Sequence, residues 1–356
     1  MSWNQNKVTL RLGIDFPIFQ APMAGGITTA ELVSETSNNG GLGNLGAGYL
    51  EPEEIKDEID KIKGRTEKPF GVNLFVPNKE NPIKTDSIVE VEKALSKYRN
   101  ILKLEEQPVY KEKDYGKLFT EQIEEVLKAK VPVCSFTFGI PDERIVKELK
   151  SNGSVVIGTA TNVLEAIELE ESGIELIVAQ GSEAGGHRGT FHAEENGLIG
   201  LMALIPQIAD QVRVPIIAAG GIMDARGIAA SLVLGAEAVQ LGTAFLCCLE
   251  SGAHPIYKET LLQATEDQTR LTKAFSGKLA RGINNRFIAD LDALKDMILP
   301  YPYQNDITSK LRKKAAELNN NDFMSLWAGQ GIRLAKETSV KSLMKELVEE
   351  VQRIIY

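Results

Sequence analysis

The sequence predicts an α/β fold, a (β/α)8 TIM barrel with a smaller, mainly helical cap. Three observations carry that prediction. Eight short apolar runs recur along the chain, amphipathic stretches stand behind most of them, and glycines gather where the runs end. The runs are continuous in Val, Ile, Ala and Phe, as expected of strands buried on both faces. A doubly wound open sheet is the alternative, but eight repeats exceed what most such sheets need.

The elements follow in order. The first strand is read from Phe16 to Met23, with a helix over Thr29 to Asn39. Gly41 to Ala47 is the second strand, and Pro52 to Lys63 its charged helix. Phe70 to Phe75 is the third strand. Val131 to Phe138 is the fourth, with a helix over Pro141 to Ser151. Val155 to Ala160 is the fifth, with Val163 to Ser172 behind it. Leu176 to Gln180 is the sixth, with a helix from about Leu198 to Asp210. Pro215 to Gly220 is the seventh, with Ala225 to Leu234 behind it, and Ala238 to Phe245 is the eighth. Two segments fall outside the repeat. Residues 76–118 are rich in Lys, Glu, Pro and Asn and hold a helix around Ser87 to Tyr98. Residues 247–356 read as several helices. The expected division is a barrel over 1–246 with insertion 76–118, and a C-terminal segment over 247–356. The insertion and that segment are expected to pack together as a cap, since a barrel active site needs something to exclude water.

Composition narrows the function. The chain is 43% hydrophobic and 25% charged over 356 residues, which is ample core material for an ordinary globular protein. A formal net charge of -9 argues against a broad basic surface for nucleic acid or an anionic membrane. No apolar run approaches the roughly 20 residues of a membrane span, and the N-terminus has no apolar signal segment. Cys134, Cys247 and Cys248 make no even disulfide framework and no zinc spacing. No His/Cys/Asp cluster suggests a metal, and a reducing, cytoplasmic setting is expected.

The residues with chemistry lie where strands end. The sixth strand feeds Gly181-Ser182-Glu183-Ala184-Gly185-Gly186-His187-Arg188-Gly189. Glycines there let backbone approach a ligand, and His187 is one of only three histidines. Its ordinary pKa near 6.5 suits a base at neutral pH. His192 and His254 lack glycine-lined surroundings and are read as surface residues. Gly220-Gly221 after the seventh strand and Gly242-Thr243 after the eighth sit where barrels often bind phosphate through backbone N–H groups. Asn73, Gln180 and Gln240 are amides in buried strands. An unpaired buried amide costs about 1–3 kcal/mol, so three at one barrel mouth suggest a ring of partners for a polar heterocycle.

These residues resemble the bacterial nitronate monooxygenases, formerly called 2-nitropropane dioxygenases, which are FMN-dependent barrels. The resemblance covers nearly the whole chain. It rests on Gln20 to Gly25, Gly71-Val72-Asn73, the Ala179 to Gly189 loop, Ala218 to Ile222, Gln240 to Phe245 and Lys273 to Gly282. It implies FMN across the barrel mouth. Ala21, Pro22 and Met23 would lie along the ring, and Asn73, Gln180 and Gly185 would touch flavin and ribityl. Gly220, Gly221, Gln240, Leu241, Gly242 and Thr243 would hold the phosphate end, and His187 would be the catalytic base. The implied chemistry is oxidation of an alkyl nitronate, such as propionate 3-nitronate, by O2 to a carbonyl compound and nitrite, in a detoxifying role. Protonated His187 would favour the anionic substrate, whereas neutral His187 would deprotonate a nitroalkane. Some relatives carry Arg where this chain has Lys278, which keeps the charge without bidentate geometry. Tyr301 and Tyr303 are candidates for the substrate side of the cap. The runner-up is a similar family, the FMN-dependent enoyl-ACP reductases using NAD(P)H. Gln180 before Gly181 and Arg188-Gly189 after His187 speak against it. A non-catalytic flavin-binding module is the third reading, and His187 argues against that.

Overall fold

In the computed structural model, residues 2–77, 85–104, 113–192 and 197–356 are described, without the side chains of 85 and 86. Eleven strands are found there: β1 (Ile18–Gln20), β2 (Gly43–Gly46), β3 (Phe70–Phe75), β4 (Val133–Thr137), β5 (Val155–Ala160), β6 (Leu176–Gln180), β7 (Gly186–His187), β8 (Ile216–Ala219), β9 (Ala238–Leu241), β10 (Thr269–Thr272) and β11 (Ala280–Ile283). Eight of them run parallel in the order β1-β9-β8-β6-β5-β4-β3-β2. The ring shuts where Phe19 bridges Leu42, with Gln20 N–H donating to the Leu42 carbonyl at 3.0 Å. A closed ring is the predicted barrel and excludes the open sheet.

Several strands are shorter than expected, and the two largest differences have local reasons. β1 spans three residues rather than eight, because Pro17 and Pro22 have no N–H to give a ladder. β9 stops at Leu241, because Gly242 turns to φ -102, ψ -73 and Thr243 begins a helical turn.

Helices α1 (Lys7–Leu12), α2 (Ala30–Asn38) and α3 (Pro52–Lys63) precede the insertion, which holds α4 (Thr85–Ile101). The helix expected over Ser87 to Tyr98 is therefore longer at both ends, and residues 78–84 and 105–112 of the insertion lie outside the described residues. Next come α5 (Tyr115–Lys128), α6 (Glu143–Ser151), α7 (Val163–Glu171), α8 (Leu201–Ala209), α9 (Ala225–Val233) and the single turn α10 (Thr243–Leu246). The C-terminal segment adds α11 (Pro255–Gln263), α12 (Arg286–Asp292), α13 (Tyr303–Glu317) and α14 (Val340–Ile355).

Three apolar layers organise these elements. Val8 and Leu12 of α1 join Val133, Val155, Ile157, Val178 and Ile217 inside the barrel, so α1 plugs one end. Strands and helices pack outside that ring, for example Val72, Phe136 and Ile177 against Ile59, Ile123 and Leu204. Val91, Leu95, Tyr98 and Leu102 of the insertion share a separate core with Phe275, Phe287, Tyr303, Ile307 and Phe323. The insertion and part of the C-terminal segment thus form one cap. α14 does not belong to it. It packs on α9 and α2 through Leu343, Met344, Leu347 and Val351, taking the eighth helix position of the barrel. Within the expected 247–356 segment, α14 thus buries its apolar stripe against the barrel wall.

Among the described residues no helix is long and apolar enough to cross a membrane.

Candidate active site

The ends of the barrel strands and the cap enclose a cavity of about 720 Å³. Ala21, Pro22, Met23, Asn73, Gln180, Gly185, His187, Gly220, Gly221, Gln240, Gly242 and Thr243 all line it. Residues far apart in the chain thus meet at one mouth, as parallel strands with one polarity require. Leu241 is the exception among the predicted residues. Its side chain is fully buried among Val239, Phe245 and Ile18, because alternate residues of a strand face opposite sides. His254 departs from expectation in the other direction. It lines the cavity and caps α11 through Nδ1, whereas His192 sits at the surface beside Glu168.

Two of the three strand amides have hydrogen-bond partners for their side chains. Asn73 Nδ2 donates to Ser135 Oγ at 3.0 Å and to Thr137 Oγ1 at 3.1 Å. These hydroxyls, two residues apart on β4, face the same side and were not singled out from the sequence. Gln180 Oε1 accepts from Gly189 N–H at 2.7 Å, and its Nε2 donates to the His187 carbonyl at 3.1 Å. Gln180 therefore shapes the His187 segment from below. Gln240 is half-buried at the cavity wall.

The glycine-rich segment is not a free loop. Gly186 and His187 form β7, which pairs antiparallel with β11 opposite Arg281 and Ala280. Arg188 N–H continues that pairing onto the Leu279 carbonyl at 2.8 Å. β7, β11 and β10 make a small second sheet that sequence patterning missed, because two residues carry no readable periodicity. Beyond it, the wholly buried Glu165 of α7 accepts from Thr161 N–H (2.6 Å), Phe191 N–H (2.9 Å) and the Thr190 hydroxyl. Burial alone would raise this carboxyl, but those hydrogen bonds outweigh it and hold it below the usual range.

His187 lies in an aromatic box. Trp327 is 5.3 Å away between ring centroids, Phe138 5.9 Å and Tyr301 6.3 Å. Of the two candidate tyrosines, Tyr301 is thus at the site and Tyr303 packs in the cap core. His187 Nε2 lies 2.8 Å from Ser276 Oγ, and that hydroxyl can also donate to the Lys278 carbonyl at 3.1 Å. If Ser276 donates to Lys278, Nε2 carries the proton and Nδ1 is the basic nitrogen. Burial, reinforced by the charges of Lys278 and Arg312, brings the His187 pKa down to about 3. The imidazole is neutral at pH 7. The positive charges that act on it are those of Lys278 and Arg312. Lys278 is buried, with Nζ 4.7 Å from the Phe138 ring centroid and donating to the Thr190 carbonyl at 3.0 Å. Arg312, on α13, lines the cavity and was missed, since nothing local marks one cation in a charged helix.

The other end of the cavity is bare backbone. Gly220 and Gly221 have φ +131 and +67, where a side chain would be strained. At the start of α9, Asp224 already accepts from Arg226 and Gly227 N–H at 3.0 and 3.3 Å. The glycine backbone, not that helix end, is what remains for a phosphate. Gly185 is held against the cap: a Cβ there would lie 2.5 Å from Ala328 C and Gly329 N. Thr243 Oγ1 accepts from Gly329 N–H at 3.0 Å, so cap and barrel are tied at this edge. Polar strand ends, an apolar wall at Ala21 to Met23 and a side-chain-free glycine edge suit a planar heterocycle with a phosphate tail.

The family model for nitronate monooxygenase matches residues 6–350. A probable nitronate monooxygenase of Staphylococcus aureus (strain Newman) is 48% identical over 356 residues, covering 99% of both chains. The structure of nitroalkane oxidase from Streptomyces ansochromogenes superposes with a TM-score of 0.90 at 37% identity, covering 98% of this chain and 99% of that one. FabK from Thermotoga maritima superposes with a TM-score of 0.79 at 28% identity, covering 99% and 97%.

Proposed function

The chain belongs to the nitronate monooxygenase family of flavin oxidoreductases, and from that premise we propose that its flavin is FMN and that its substrates are small alkyl nitronates. The products are a carbonyl compound and nitrite, and the role is detoxification. Asn73, Gln180, Gly185 and the first-turn residues Ala21, Pro22 and Met23 are assigned to the isoalloxazine and ribityl. Gly220, Gly221, Gln240, Gly242 and Thr243 are assigned to the phosphate end. Bound flavin would supply the electron acceptor and the place where O2 reacts.

The observation that carries this reading is a buried, neutral His187 on which the charges of Lys278 and Arg312 act, in a cavity lined by Lys113, Arg312 and Lys313 with Asp306 as its carboxylate. Lys278 and Arg312 offset the negative charge of a nitronate. The aromatic walls exclude water and orient the carbon–nitrogen bond. His187 takes a proton from the substrate carbon of a neutral nitroalkane, and stays a hydrogen-bonding partner when the substrate arrives already ionised. The cap core holds these groups over the mouth, so the working unit is the 1–246 barrel with its 76–118 insertion and the cap part of the C-terminal segment. A cytoplasmic setting is part of this reading and rests on three buried free cysteines. The similarity to FabK is lower in both identity and TM-score, so the enoyl reductase alternative fits less well.

The test is anaerobic addition of ethyl nitronate to the purified yellow protein. Bleaching of the flavin without NADH, then nitrite on admitting O2, is the expected result. Bleaching by NADH followed by reoxidation with an enoyl thioester would overturn it. The cofactor released by heat should match FMN rather than FAD on chromatography.

A further inference from the structure

Among the described residues that line the cavity, Arg312 is a cation with a buried donor left without an acceptor. Its Nη2 donates to the Asn305 carbonyl at 2.9 Å and to Asn305 Oδ1 at 2.8 Å. Its Nε is buried and has no acceptor. Among the described residues no carboxylate lies within ion-pair distance of it, although the charge of Asp306 acts on it from farther away. Asp306 of the same helix is engaged by the Tyr115 hydroxyl. Tyr49, on the facing barrel loop, stays a neutral phenol, pushed up to about 12 by burial. A buried guanidinium N–H without an acceptor is costly, and an anion entering the cavity relieves that cost. Lys278, by contrast, already spends one donor on Thr190 and lies over Phe138.

We propose that Arg312 is the anion receptor of this cavity, binding the negative charge of the substrate and selecting nitronate anions over neutral nitroalkanes. The proposal rests on the nitronate reading above. A nitronate and its parent nitroalkane have nearly the same shape and differ by one proton. The rings of Trp327, Phe138 and Tyr301 cannot separate two such molecules by size. A desolvated cation with a free N–H can.

The experiment compares the flavin-loaded wild type with Arg312→Gln and Arg312→Lys. Two readouts are taken. The first is the ratio of apparent affinities for ethyl nitronate and for nitroethane, the latter measured as a KM or, failing turnover, as an inhibition constant. In Arg312→Gln this ratio is expected to fall by about 10- to 100-fold, the size of a lost hydrogen bond to a charged group. Arg312→Lys, which keeps charge but loses the Nε donor, should show a smaller fall of several-fold. The second readout is binding of nitrate, followed by flavin absorbance, and it should weaken in the same order. An unchanged ratio and unchanged nitrate binding in either variant overturn the proposal. If Arg312→Gln fails to take up flavin, Arg312→Lys decides alone by the same ratio. Failure of the wild type to release nitrite would sink the nitronate reading instead, and the nitrate titration would still decide whether Arg312 receives anions.

Discussion

His187 sits between two cations and three aromatic rings, with no carboxylate to stabilise an imidazolium. Burial is the largest influence, and Lys278 and Arg312 add to it, so the pKa drops from 6.5 to about 3. The sign of the consequence is fixed by linkage. An unfolded chain takes up a proton on this histidine near pH 6.5, while the folded chain does not until near pH 3. The stability contributed by keeping His187 neutral is therefore full above about pH 6.5 and is lost as pH falls from there toward 3. In His187→Gln the fall of Tm between those two values should be shallower than in the wild type, measured by calorimetry of the flavin-loaded proteins. Parallel curves would mean that His187 titrates normally. His187 itself was legible in the sequence, because glycines crowd around it. Ser276, Lys278 and Arg312 were not assigned roles, because a serine or a cation far along the chain has no local mark of where its side chain ends up.

Elements hold these residues in place through polar anchors rather than apolar packing alone. Glu165 of α7 is the clearest case. Its carboxylate receives three backbone N–H groups, from Thr161, Phe191 and His192, besides the hydroxyls of Thr161 and Thr190. All approach as donors, so an amide nitrogen in place of one oxygen turns a donor against donors. Glu165→Gln is expected to lower the unfolding free energy by roughly 1.5–3 kcal/mol and to raise hydrogen exchange across residues 188–192. Full wild-type protection there would remove Glu165 from the support of β7. α5 shows what sequence patterning overlooked at this scale. Phe119, Gln122, Ile123 and Val126 form its buried stripe, and Asp114 caps it by accepting from Lys117 N–H at 2.8 Å. The spacing is helical, but it follows a polar insertion that masks its start.

At the scale of the whole molecule, the two chain ends meet. Trp3 Nε1 donates to Gln352 Oε1 at 3.1 Å, and Trp3 N–H to the Tyr356 hydroxyl at 3.1 Å. α14 lies between α9 and α2, so the ring of helices is completed only by the last residues of the chain. Leu347→Ala, inside that seam, is expected to cost about 2–5 kcal/mol by denaturant unfolding. A cost near zero would show that α14 is dispensable packing. The order of amino acids already specifies the barrel, because eight doubly buried strands leave a continuous apolar signature. It also specifies which glycine-bearing strand ends share one mouth, because parallel strands with one handedness must end on one face. Which helix closes the ring, which cations act on His187 and how that imidazole is charged emerge only once the chain is folded. Those outcomes depend on side chains meeting across long stretches of chain and on how much water each meeting excludes, and neither is written in any local pattern.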